Sequence, residues 1–182
     1  MIQVLLVVCV LLWVTSFVDS GHLATEAEAK QIYQNLLLVS VAFATLSAPL
    51  VYIGIDRWHL GYLISIFFAL RATALIFGYP NLTEPNGIGA YLCTGITLMS
   101  SGIAMVLCET FFIKKCPGNI AGSMKGVFNF FGQLGTLCLT IASGQLYDKV
   151  NPAAPFILVG VLDLTVCVLC LVLSLCGKMI VK

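Results

Sequence analysis

Long apolar runs separated by short polar islands dominate the pattern of this chain. The runs cover about 2–18, 35–55, 60–79, 87–113, 120–146 and 153–176. A helix that crosses roughly 30 Å of hydrocarbon needs about 20 apolar residues, and all six runs approach or exceed that length. The islands carry turn formers, as in "YPNLTEPNG", "KKCPGN" and "DKVNPAAP". No polar linker divides the chain. The pattern predicts an all-α polytopic membrane protein, a single domain over residues 1–182 built as a six-transmembrane-helix bundle.

The first run, "MIQVLLVVCVLLWVTSFVDSG", leaves two readings open. It lacks the basic lead of a secretory signal and has only a vague cleavage site, which favours a retained span over a cleaved signal. Its abrupt start is also what a chain that has lost its beginning would show.

Orientation follows from the basic residues. If the Asp56-Arg57 island is a cytoplasmic turn between the second and third spans, six basic residues lie on that side. They are Arg57, Lys114, Lys115, Lys125, Lys178 and Lys182, against Lys30 and Lys149 outside. The expected protein is multi-pass, in the plasma membrane or an endomembrane, with both termini cytoplasmic. The sequon Asn81-Leu82-Thr83 then falls in an outer loop, although three-residue matches are weak signals.

Composition sharpens this picture. Of 182 residues 60% are hydrophobic and 9% charged, against roughly a quarter charged in soluble domains. The net charge is +1, with no basic block to neutralise a row of phosphates, so nucleic-acid binding has no electrostatic basis. Of eight cysteines, six lie within spans as small apolar fillers. No metal or cofactor is implied, because no cysteine or histidine spacing resembles a ligand set. No constellation of an enzyme is present either.

Polar positions inside the spans carry the functional signal. Asn129, Gln133, Thr136, Thr140 and Ser143 recur at steps of four, three, four and three, which places them on one helix face. Such a stripe faces protein or water, because a lipid-facing amide would lose its hydration. Thr94, Thr97, Ser101 and Ala104 repeat the pattern more weakly on the fourth span. Close helix packing explains small and hydroxyl residues equally well; the two amides favour a cavity.

Two charges are fully intramembrane. Arg71 and Asp163 both fall about 18–20 Å from the inner boundary at 1.5 Å per residue. Each alone costs about 3 kcal/mol on insertion scales. A mutual ion pair resolves both costs, while the sharper alternative makes Asp163 a proton-coupling site. Glu109 closes the fourth span on the same side as Asp56 and Arg57. With Lys125 near the start of the fifth span, these four can form a cytoplasmic latch, or serve as interfacial charges that fix topology.

The order of these features resembles the C-terminal six-helix half of a major facilitator superfamily transporter. "APLVYIGIDRW" is similar to the family's G-x-x-x-D-R loop. "CETFFIKKCPGNIAGSMKG" resembles the lead-in to its eleventh helix, and "FGQLGTLCLTIASGQLYDK" with "PAAPFILVGVLDL" resembles that helix and the next. Departures are Tyr52 in place of the motif glycine, "WHLG" after the Arg, and Ala121 where an arginine is common. The resemblance implies movement of a small solute by alternating access. It places Asn129, Gln133, Thr136, Thr140, Thr94 and Thr97 along the solute path. It also implies a second six-helix half, from an absent N-terminal region, a second copy or a partner chain. The alternative is a degenerate half that acts as a non-transporting structural or assembly subunit.

Overall fold

A computed structural model of the chain describes residues 2–20, 25–57, 59–115 and 121–176, and every regular element among them is helical. The helices are α1 (Ile2–Asp19), α2 (Glu26–Arg57), α3 (Leu60–Thr73), α4 (Ile88–Lys115), α5 (Ala121–Lys149) and α6 (Ala154–Leu175). A π-helical turn (Ala74–Gly78) and a 3-10 turn (Tyr79–Asn81) extend α3. The six helices fall on the six apolar runs and form a membrane helical bundle. Among the described residues five helices are long and apolar enough to cross a membrane, and the apolar part of α1, Leu5–Val18, is shorter.

The polar residues before the second apolar run belong to α2, which starts at Glu26 rather than near Asn35. Glu26 and Glu28 suit the positive end of the helix dipole. The Glu28 N–H also donates to Thr25 Oγ1 at 3.3 Å, an N-cap bond. At its other end α2 runs through Pro49 to Arg57. Asp56 and Arg57 are therefore the last turn of a helix rather than the connection itself; neither residue breaks a helix, and α3 begins at Leu60 after His59. The side chains of Asp56 and Arg57 lie outside the described residues.

Two apolar cores hold the bundle. Leu6, Val10, Trp13 and Val14 of α1 meet Ile32 and Leu36 of α2, with Leu75, Tyr79, Leu98 and Phe156. Leu60, Leu63 and Ile64 of α3 pack with Val51, Ile103 and Leu107 at the other end. The most extensive contact is between α3 and α6. Where α6 passes the π turn that extends α3 it does so at Gly160, where an added Cβ would lie 2.6 Å from Ile76 Cγ1 and 3.1 Å from Leu75 Cβ. The π turn widens α3 at that height, so only a bare backbone lets α6 come close.

Helix α5 stands apart. Its backbone packs on α6 and, more lightly, on α1, where the Tyr147 hydroxyl donates to the Leu12 carbonyl at 3.0 Å, and it meets α4 through side chains at Lys125 and Phe128. Most of its surface is exposed, and nothing lies within 4 Å of where Cβ atoms would sit on Gly122, Gly126, Gly135 and Gly144.

Candidate functional site

Because α5 is held mainly at its far end, a cleft of about 410 Å³ opens between α4 and α5 over part of α3. One wall is α5, through Phe128, Asn129, Gly132, Gln133 and Thr136. The facing wall is α4, through Ser101, Ala104, Met105, Cys108 and Glu109, and Phe68 and Arg71 of α3 form the floor. The lining surface is mostly apolar, with two amides, two hydroxyl residues and the charged Arg71 and Glu109 among its residues, the usual chemistry of a small-molecule site.

The threonines contribute less than the amides. Thr136 Oγ1 donates to the Gly132 carbonyl at 2.9 Å, and Thr140 Oγ1 to the Thr136 carbonyl at 2.8 Å. Hydroxyls bonded back to their own helix have spent their proton locally.

At the end expected to be cytoplasmic, two contacts bridge the cleft. Lys125 Nζ lies 3.5 Å from Glu109 Oε1, and the Phe112 and Phe128 rings approach to 5.8 Å between centroids. The charged pair is half-exposed, at 52% and 40%. It adds at most about 1 kcal/mol, so it can open without large cost.

Arg71 and Asp163 meet behind the floor. The guanidinium binds the carboxylate through two parallel bonds, Nε to Oδ2 and Nη2 to Oδ1. Their side chains are 3% and 4% exposed. Arg71 also places Cζ 4.9 Å from the Phe68 ring centroid, one turn back on α3. Asp163 itself does not line the cleft.

The structure therefore gathers Asn129, Gln133 and Thr136 into one cleft with Glu109 and Lys125 at its mouth. It places Thr94, Thr97 and Thr140 elsewhere. Thr94 and Thr97 are fully buried. Thr94 Oγ1 lies 3.0 Å from the Tyr79 hydroxyl, and Tyr79 stacks on Phe156 at 4.0 Å. The cleft reaches α4 only as far as Ser101, because beyond it α4 is packed against Tyr79, α1 and α2. Thr140 is exposed farther along α5. The Asn81 side chain donates to the Phe77 carbonyl at 2.7 Å, closing the end of the extended α3.

This cleft-bearing bundle has a curated relative. The chain is similar to a magnetosome protein. It is 28% identical over 158 residues to MamH of Paramagnetospirillum magneticum, across 86% of this chain and 36% of that protein. The chain thus spans about a third of the length of the relative it matches. No protein-family model and no solved structure matches it.

Sequence reasoning did not anticipate Phe68 on the cleft floor or Met105 and Cys108 on its α4 wall. Apolar side chains at a cavity carry the same pattern as those facing lipid, so the sequence held no signal for them. Arg71 was singled out as a charge, but its place beside the cleft follows only from how α3 lies beneath α4 and α5.

Proposed function

We propose that this chain moves a small solute across a membrane by alternating access, as part of a secondary transporter of the major facilitator type and not as an enzyme. The observation that carries the reading is the cleft itself. Its polar lining is concentrated on α5, the helix least fixed to the rest, and its mouth is bridged by one weak ion pair. Rocking of α5 against α4 would open and close such a cleft while leaving the α3–α6 contact intact. Asn129 and Gln133 hydrogen-bond the solute, and Glu109 with Lys125 latches the cytoplasmic side. A second six-helix half, from further chain, a second copy or a partner, completes the path against the exposed surface of α5.

The test is solute flux in proteoliposomes, with a second half supplied. The chain should support flux, and Gln133→Leu should lower it at least tenfold with insertion unchanged. Flux that is absent under all these conditions overturns the reading. It would leave the second candidate, a non-transporting structural or assembly subunit, which the loosely held and largely exposed α5 also suits.

A further inference from the structure

The buried ion pair does not use all that Arg71 offers. A guanidinium has five N–H donors in a rigid fork, and Asp163 accepts two of them. Among the described residues the side chain makes no other hydrogen bond, and its Cζ lies 4.9 Å from the centroid of the Phe68 ring. Yet Arg71 is part of the cleft floor, with Cys108 and Ser101 beside it on the α4 wall. The Nη1 edge is the part of the fork that the carboxylate leaves unused, and Arg71 is a lining residue of the cleft although its side chain is only 3% exposed.

We infer that Arg71 is an oxyanion subsite: the cleft takes a small solute bearing a carboxylate or phosphate-type group, bound by the free edge of the guanidinium. This rests on the transport reading for its consequence, though not for its chemistry. Planar bidentate donors match carboxylate and phosphate oxygens better than any other side chain. Asp163 holds the fork rigid and keeps the resting site neutral, so the charge can persist in an apolar setting without a solute. Asn129 and Gln133, on the opposite wall, are left to bind the solute's uncharged polar groups. The mouth offers no net repulsion, because Glu109 is matched by Lys125. Arg71 is the twelfth residue of the 22-residue span Leu60–Asn81, near its middle. A lipid phosphate stays at the interface, so the oxyanion belongs to a free solute.

Cys108 provides the readout, since its half-buried thiol lies on the cleft wall, while Cys138 is exposed on α5 outside the lining. The full chain is placed in phosphatidylcholine nanodiscs and treated with N-ethylmaleimide at constant ionic strength, with site-resolved mass spectrometry. Acetate or inorganic phosphate should slow Cys108 alkylation saturably, at least threefold, and acetamide, the neutral analogue of acetate, should not. Cys138 should be indifferent to all three. The Arg71→Gln/Asp163→Asn variant, which keeps shape and removes both charges, should lose the protection. The anions should likewise raise the thermal unfolding midpoint of the parent and not of the double variant.

Equal protection by acetamide, protection that survives in the double variant, or no anion effect on either readout overturns the subsite. Flux of a solute with which no anion competes removes the oxyanion assignment and leaves transport standing. Anion protection without any flux does the reverse.

Discussion

Removing one member of the Arg71–Asp163 pair should damage the fold far more than removing both. The pair joins α3 to α6 at their most extensive contact, bidentate and only 3–4% exposed. Asp163→Leu leaves a guanidinium with no counter-charge in an apolar interface, and Arg71→Met leaves a carboxylate in the same position. Stranding one buried charge costs about 3–5 kcal/mol. If the two losses were independent, the double variant Arg71→Met/Asp163→Leu would lose about 6–10 kcal/mol, their sum by that estimate. Apolar replacement of a whole buried pair is instead neutral, or stabilising by about 1–4 kcal/mol. The expected coupling is therefore at least about 6 kcal/mol, well above the range of about 0.5–3 kcal/mol common for neighbouring residues. Equilibrium unfolding of the four proteins in mixed detergent micelles, followed by far-UV circular dichroism, measures it. Single variants that lose under about 1 kcal/mol would show that the pair is wetted like a surface bridge. A double variant that loses the sum would show that the two charges do not share one energy.

Three further outcomes follow from the packing. Gly160→Ala should destabilise by about 1–3 kcal/mol, because its Cβ meets the stiff Ile76 side chain at 2.6 Å, whereas Gly126→Ala, with open space around it, should cost nothing measurable in the same unfolding assay. Tyr79→Phe removes the hydroxyl that meets Thr94 and keeps the stack on Phe156, so a loss of about 1–2 kcal/mol is expected; a change below 0.5 would mean the bond is not made. Glu109→Gln breaks the half-exposed bridge to Lys125 and should change stability by less than about 1 kcal/mol. It should nevertheless speed maleimide labelling of Cys108 by opening the cleft mouth, and an unchanged labelling rate would show that the bridge does not guard it.

The helices were legible because solvent chose them: apolar length alone separates membrane helix from loop, and each apolar run became one helix. The boundaries were less so. Glu26 to Gln34 precede the apolar run yet belong to α2, because hydropathy reports the solvent of a segment and not its hydrogen bonding, and acidic residues at a helix start satisfy the dipole without being apolar. The Arg71–Asp163 encounter was legible for an energetic reason: two charges at one depth in an apolar medium have almost no other solution. The cleft was only half legible. On α5 the amides marked it, since Asn and Gln have few apolar uses. On α4 the same small polar residues serve two ends: Thr94 completes a buried bond to Tyr79, while Ser101 faces open space. Periodicity gives the face of a helix but not which stretch of that face a neighbour covers. Here the cover is decided by Tyr79, which the 3-10 turn after the π segment carries inward against α4, and by α5, which is pinned at Tyr147 and stands off from α4 along the rest of the cleft. The solute path is thus set less by the polar residues than by where two helices fail to touch. That makes the spacing of α4 and α5, rather than any one side chain, the quantity a transport cycle must change.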